Sequence, residues 1–408
     1  MISLFYDNIS HGNGKFPMTR ELPAFPGQLS RLDIKYNVKT VGDTVDSQVN
    51  LYLIELFRID LDIEEIFKSI PIETVDFIRS NNIKILVYYP YEGMDLSLYD
   101  NWFAKLHQSF LKYNMHDIKK YFIYNNLNID NYYKDFLNDN EHLSNAGFSK
   151  VFGYCFFHSD SYFNIIENTI QLNNNTQEKI KDFVCYNSQI RPHRIFLISE
   201  LIRRNLTEHN YVSMIGASCN FPGTDLEYAS STIEEVFSQL ALDQTIVDHC
   251  RNYIKNWKPM YLDKTAVTVD VISFDLAHYR DTYFSVVTET GMGYPLRMTE
   301  KVFKPISNQH PFIVFGCQGT LKYLRSIGYQ TFPEMFDESY DDIVDTNDRI
   351  LAAIAEIEKF SRRSADEKRK RFNSVLPTLQ HNQHVFLKEY YPKHQQELIT
   401  ILQQIAND

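Results

Sequence analysis

Apolar residues in the first part of the chain come in short runs. ISLFYDN (2–8), VNLYLIELF (49–57), IKILVYYPYEG (83–93), KKYFIYNN (119–126) and KVFGYCFF (150–157) are of strand length, and most are apolar nearly throughout. A strand apolar on both faces is buried on both, as inside a parallel sheet covered by helices. Between these runs, 63–78 (interrupted by Pro71) and 99–113 carry the spacing of amphipathic helices. The polar stretch QLNNNTQEK (171–179) reads as a linker. Beyond it the alternation restarts. KDFVCYN (181–187) predicts a strand, and RPHRIFLISELIRRN (191–205) a helix with Pro192 in its first turn, where proline is tolerated. YVSMIG (211–216), YFSVVTE (283–289) and PFIVFG (311–316) predict strands, and 231–257 a helix. GTLKYLRSIGY (319–329) predicts a short helix closed by Gly328, and 345–405 is almost entirely helical in pattern.

This rhythm predicts the α/β class: two Rossmann-like domains and a helical C-terminal tail. A length of 408 residues exceeds what one core usually serves. The expected divisions are 1–175, 176–380 and a terminal helix at 381–408 that can pack back on the first domain. The same outline serves sugar-nucleotide enzymes, periplasmic binding proteins and small-molecule kinases, so the chemistry has to decide.

Composition narrows the classes. The chain is 44% hydrophobic and 14% aromatic, which excludes a disordered chain. A net charge of −11 disfavours a polyanionic partner in bulk, while leaving room for a local basic face. Five cysteines stand singly at 155, 185, 219, 250 and 317, without a CxxC pair, which suits buried thiols in a reducing cytoplasm. The start, MISLFYDNIS, lacks the basic flank of a signal peptide and reads as a first strand; no run approaches membrane-spanning length. A soluble cytoplasmic protein is the expectation.

The segment 283–316 carries the densest chemistry. A strand ends at Glu289, the glycines of TETGMGY (288–294) let backbone approach a ligand, and Thr299-Glu300-Lys301 opens a helix expected to stop at Pro305. Glu300 suits a ribose diol, and Lys301 suits a diphosphate facing the helix's free N–H groups. The plainer account makes Glu300 a partner of the helix dipole and Lys301 a solvated cation. Arg191, His193 and Arg194 crowd the start of another helix. Arginine there opposes the dipole, so a pair points to a bound anion. Lys304 and Arg297 are weaker candidates for the same phosphates. For a general base, Glu92 follows an apolar strand and precedes Gly93, with Asp7 and Glu55 as runners-up at other strand ends. The plainer account makes Glu92 an ordinary loop glutamate. His158-Ser159-Asp160 and NDNEHLSN (138–145) lack metal-ligand spacing, and FDESYDD (336–342) reads as a solvated acidic loop. The basic helical run KFSRRSADEKRKRF (359–372) reads as a solvated face, or as a patch for an anionic acceptor or a membrane surface.

FSVVTET…YPLRMTEKVFKPISNQHPFIVFG (284–316) resembles the donor-binding signature of α-1,3-fucosyltransferases and, more loosely, of exostosin-type transferases. FVCYNSQIRPHR (183–194) extends the likeness weakly. The resemblance implies a GT-B fold whose C-terminal domain binds a nucleotide-diphosphate sugar as co-substrate, with no cofactor and no metal, and an inverting transfer. It implies that Glu300 holds the ribose, Lys301 and Arg191 the diphosphate, and that Tyr294 lines the nucleotide site, with Asn187, Arg194 and Glu289 beside them. It also implies Glu92 as base, in a loop where an acidic residue precedes an Asp-aromatic pattern. MGYPLR (292–297) is a longer approach to Thr-Glu-Lys than the family uses, and no base-reading region is recognisable, so nucleotide and sugar stay open.

Three functions follow as expectations. The first is sugar transfer to a hydroxyl of a glycan or small acceptor. The second is transfer to a hydroxymethylated base in DNA, in keeping with an Asn/Ile/Tyr/Lys-rich, phage-like composition. The third is a sugar-nucleotide-binding module without catalysis.

Overall fold

The computed structural model describes residues 2–6, 24–56, 63–89, 102–124, 127, 129–154, 178–216, 234, 243–262, 276–293, 296 and 298–408. The chain forms two compact units. The first comprises Met1–Ser159, Pro295–Arg297 and Tyr391–Asp408, and the second Asp160–Tyr294 and Met298–Tyr390.

The first unit is built on six parallel strands: β1 (Ile2–Tyr6), β2 (Tyr36–Thr40), β3 (Val49–Glu55), β4 (Lys84–Tyr89), β5 (Lys120–Tyr124) and β6 (Lys150–Gly153), in the order β2-β1-β3-β4-β5-β6. Side chains alternate between two faces. Phe5, Tyr52, Ile54, Ile85 and Val87 pack with α2 (Ile63–Lys68), α3 (Ile72–Ser80), α4 (Trp102–Lys112) and α5 (Ile129–Asp139). The opposite face, with Leu4, Leu51, Leu53, Leu86 and Ile123, is covered by α1 (Ala24–Arg31) and by the C-terminal helix of the chain, Tyr391–Asn407. That helix presents Leu398, Ile401, Leu402 and Ile405, spaced at three and four. Lys84 Nζ donates to the carbonyls of Ile405 and Ala406, placing a cation at the helix's negative end.

The second unit has a parallel sheet of four described strands: β7 (Lys181–Cys185), β8 (Tyr211–Val212), β9 (Thr282–Thr288) and β10 (Phe312–Phe315), in the order β10-β9-β7-β8. The run at 211–216 keeps only two residues in the ladder; Met214 instead bridges Met260 in antiparallel fashion. Around the sheet lie α6 (Pro192–Arg203), α7 (Gln244–Lys255), α8 (Leu276–Asp281), α9 (Glu300–Ser307), α10 (Thr320–Ser326), α11 (Thr346–Ser361), α12 (Ala365–Ser374) and α13 (Leu376–His384). A π-helical turn, Val385–Tyr390, leads to α14 (Tyr391–Asn407) in the first unit. The α/β class, the two parallel-sheet units and the helical tail match the sequence pattern.

One local expectation fails and another holds only in part. Pro305 does not end its helix: α9 runs to Ser307 with Pro305 buried inside it. The missing N–H removes only one bond from a short helix. Asn308 then closes the last turn, its Nδ2 donating to Lys304 O at 2.8 Å and its backbone N–H to Pro305 O at 3.1 Å. The acidic segment 336–342 is solvated only in part: Asp337 and Asp342 are exposed, but Glu338–Asp342 is a 3-10 turn with Tyr340 and Asp341 buried. Asp341 Oδ2 accepts the N–H groups of Leu321 (3.0 Å) and Lys322 (3.1 Å), supplying the cap that Gly319 cannot give α10. Glu338 accepts from Phe332 N and Thr331 Oγ1. The basic run 359–372 is two helices separated by a Ser364–Glu367 capping box. Lys368 pairs with Asp182 at 2.6 Å.

Candidate functional site

In an open parallel sheet, ligands bind beyond the carboxyl ends of two neighbouring strands whose outgoing connections turn in opposite directions. Among the described strands of the second sheet that place lies between β7 and β9: β7 leads to β8 on one side, β9 to β10 on the other. The sequence candidates at 187–194 and 288–301 follow these two strands.

Asn187 is buried just past β7. Its Oδ1 accepts from Thr288 Oγ1 at 2.7 Å, its backbone N–H donates to Ser213 Oγ at 3.1 Å, and its carbonyl accepts from Ile215 N at 3.0 Å. It braces the ends of β7, β8 and β9. Arg194, in the first turn of α6, is also buried. Its guanidinium donates to the carbonyls of Gln189 (3.2 Å), Thr288 (3.2 Å) and Glu289 (3.1 Å). Both residues tie the strand ends together.

Glu289 is the node of the site. It is fully buried, and burial raises its carboxyl above the ordinary range, against the opposing pull of the Lys301 charge and the Thr299 hydroxyl. Oε2 accepts from Thr299 Oγ1 at 2.6 Å and Oε1 from Thr299 N at 3.3 Å, fixing the N-cap of α9 to the end of β9. The Glu289 carbonyl lies 3.0 Å from His193 Nε2. The starts of α6 and α9 are therefore both fastened to one residue.

Further polar groups follow the ends of β7 and β9. Arg191, the N-cap of α6, donates from Nη2 to Gln189 Oε1 at 3.2 Å, while its Nε is buried without a hydrogen-bond partner. Three residues earlier Ser188 Oγ is likewise buried and unpartnered. No described carboxylate forms an ion pair with Arg191. On α9, Lys301 Nζ donates to Glu300 Oε1 (2.8 Å), Thr299 Oγ1 (3.1 Å) and Thr290 Oγ1 (3.4 Å), with a quarter of its side chain exposed. Burial alone would raise the Glu300 carboxyl; the charge and hydrogen bond of Lys301, with the Lys304 charge and a backbone hydrogen bond, together hold Glu300 below the usual range.

The structure thus brings Asn187, Arg191, Arg194, Glu289, Glu300 and Lys301 to one switch point. Tyr294, Arg297, Glu92, Asp7, His158 and Asp160 lie outside the described residues. Glu55 occupies the corresponding place in the first unit, where β1 leads to β2 and β3 to β4 in opposite directions. It is 1% exposed. Oε1 accepts from Phe25 N at 2.7 Å and Oε2 has no partner, and burial pushes its carboxyl up to about 8 against that backbone hydrogen bond. Sequence reasoning passed over Ser188, because a lone serine in a turn carries no pattern. It also passed over Arg349, two of whose partners, the carbonyls of Met292 and Gly316, are distant in the chain. Among the described residues no cluster of three or more His, Cys, Asp or Glu side chains is placed to hold a metal, and no helix is long and apolar enough to cross a membrane.

No protein-family model matches the chain, and no curated protein matches it in sequence. Among solved structures it is similar to an α,α-trehalose 6-phosphate synthase from Burkholderia multivorans, at 10% identity and a TM-score of 0.43, over 89% of this chain and 72% of that one. It is also similar to an α1,3-fucosyltransferase, at 10% identity and a TM-score of 0.35, over 100% of this chain and 91% of that one. Scores below 0.5 leave the fold assignment to the sheet topology itself.

Proposed function

We propose that this chain is a glycosyltransferase that moves a sugar from a nucleotide-diphosphate sugar to an acceptor hydroxyl of a glycan or small molecule. One observation carries the reading. At the switch point of the second sheet, the buried Arg191 Nε and Ser188 Oγ lack partners, and the Lys301 ammonium stands on a helix start fastened to the same Glu289. Buried polar groups are normally satisfied, so an orphaned guanidinium N–H beside a helix start is suited to an oxyanion.

In this reading Arg191 and Lys301 neutralise the diphosphate, and Glu300 accepts from the ribose hydroxyls once Lys301 turns to phosphate. Asn187, Arg194 and Glu289 hold the frame, and Tyr294 lines the nucleotide site. The acceptor oxygen attacks the anomeric carbon as the bond from that carbon to the diphosphate oxygen breaks. The hydroxyl proton passes to a carboxylate, assigned from sequence to Glu92, and the nucleoside diphosphate leaves with its charge held by the two cations. A single displacement inverts the anomeric centre, and the two cations do the work of a metal.

Thermal stabilisation by ADP, CDP, GDP and UDP tests the proposal. A diphosphate at about 100 times its dissociation constant stabilises by about 2.7 kcal/mol, and the wild-type chain is expected to respond to at least one of the four. No response to any of them, with millimolar ligand, contradicts the reading.

A further inference from the structure

The segment 290–293, between β9 and α9, contains Gly291 and Gly293 and has the backbone freedom such residues confer. It is fastened at three points. Thr290 Oγ1 accepts from Lys301 Nζ, Gly293 O accepts from Cys317 Sγ at 2.8 Å, and Met292 O accepts from Arg349 Nη2 at 2.6 Å. Arg349 is buried in the first turn of α11, where a cation opposes the helix dipole, and no described carboxylate forms an ion pair with it. Burial accordingly holds its pKa below the ordinary value. All five guanidinium donors are nevertheless engaged: Nε with Gly316 O (3.2 Å), Nη1 with Ile343 O (2.6 Å) and Val344 O (3.0 Å), and Nη2 with Met292 O and Thr346 Oγ1 (3.2 Å). Gly316 directly follows β10 and lies against Glu289: a Cβ added there would lie 3.5 Å from Glu289 Cγ. One planar fork therefore spans the end of β10, the glycine segment and the turn entering α11.

Resting on the diphosphate site proposed above, we infer that Arg349 is the positioning residue that holds the 290–293 segment, and through Thr290 the Lys301 ammonium, in the geometry that receives a diphosphate. Arg349 touches no ligand itself, because no donor remains. A lysine in its place keeps the charge but cannot span these carbonyls, since an ammonium offers three donors from one point.

The test titrates wild type, Arg349→Lys and Thr290→Val with ADP, CDP, GDP and UDP and with the matching monophosphates. In parallel, alkylation of Cys317 by iodoacetamide is followed by peptide mass spectrometry. Both variants are expected to lose about tenfold in diphosphate affinity, the equivalent of one charge-assisted contact, with a smaller change for monophosphates. Arg349→Lys is also expected to speed Cys317 alkylation about tenfold below its unfolding temperature. A merely structural role lowers thermal stability without separating diphosphate from monophosphate. Thr290→Val leaves the core untouched and keeps the test alive if Arg349→Lys does not fold. Wild-type binding with both folded variants within twofold of it, or equal losses for the two ligand classes, overturns the inference alone. Failure of wild type to bind any of the four diphosphates overturns the site on which it rests. In that event unchanged Cys317 alkylation in Arg349→Lys also removes the clamp on the segment.

Discussion

Glu55→Gln isolates the cost of burying an acid. The Glu55 carboxyl has moved from its ordinary 4.5 to about 8. At about 1.4 kcal/mol per pH unit, that displacement corresponds to about 5 kcal/mol. The sign follows from proton counting. Between about pH 4.5 and 8 the unfolded chain has released this proton while the folded chain keeps it, so stability falls as pH rises through that window. The loss is complete above about pH 8 and absent below about pH 4.5. Glutamine preserves the acceptor for Phe25 N and replaces a protonated oxygen with an equally buried amide, so the variant escapes the pH-dependent loss. Trp102, buried on α4, reports on the first unit, and only one other tryptophan is present, Trp257 in the second. Urea unfolding followed by Trp102 fluorescence in a Trp257→Phe background is the assay. Glu55→Gln is expected to raise the stability of the first unit by about 4 kcal/mol at pH 9 and by less than about 1 kcal/mol at pH 5. Equal effects at the two pH values refute the account of a neutral, desolvated Glu55.

Three further outcomes are expected. Lys301→Ala should abolish stabilisation by nucleoside diphosphates while the chain stays folded, as read by thermal shift and circular dichroism; a retained shift counts against Lys301 as the phosphate cation. Thr299→Val removes the Glu289 Oε2 partner and the α9 cap together, and should cost about 3 kcal/mol by urea unfolding followed through Trp257. Asp341→Ala leaves the Leu321 and Lys322 N–H groups without their acceptor and should cost about 2 kcal/mol in the same assay, with Asp341→Asn intermediate.

The legible parts of this fold were those where burial writes a pattern. Strands β1, β3, β4 and β5 are apolar on both faces because helices cover both, and their sequences say so. Strand β2 was not legible: among the described strands it pairs only with β1, and Val38 is 56% exposed, so YNVKT has little burial to record. Glycine and proline signals held at Gly328, whose φ of 103° suits the helix end, and failed at Pro305, where Asn308 supplies the closing bonds. The 336–342 acids looked solvated because charge usually is, and Asp337 and Asp342 are; Asp341 and Glu338 instead serve N–H groups of other segments. At the site, Glu289 at a strand end and Thr299 as a helix cap were legible, while the bond that joins them across ten residues was not. The Arg349 fork joins 292, 316 and 343–346, which no local pattern encodes.

The most direct measurement is a crystal structure of the chain with the nucleoside diphosphate that stabilises it best. The account places the diphosphate oxygens within hydrogen-bond distance of Arg191 Nε and Lys301 Nζ, beyond the carboxyl ends of β7 and β9, with the Glu300–Lys301 pair opened toward the ligand. A diphosphate bound elsewhere, with Arg191 Nε still unpartnered and Lys301 still held by Glu300, contradicts it.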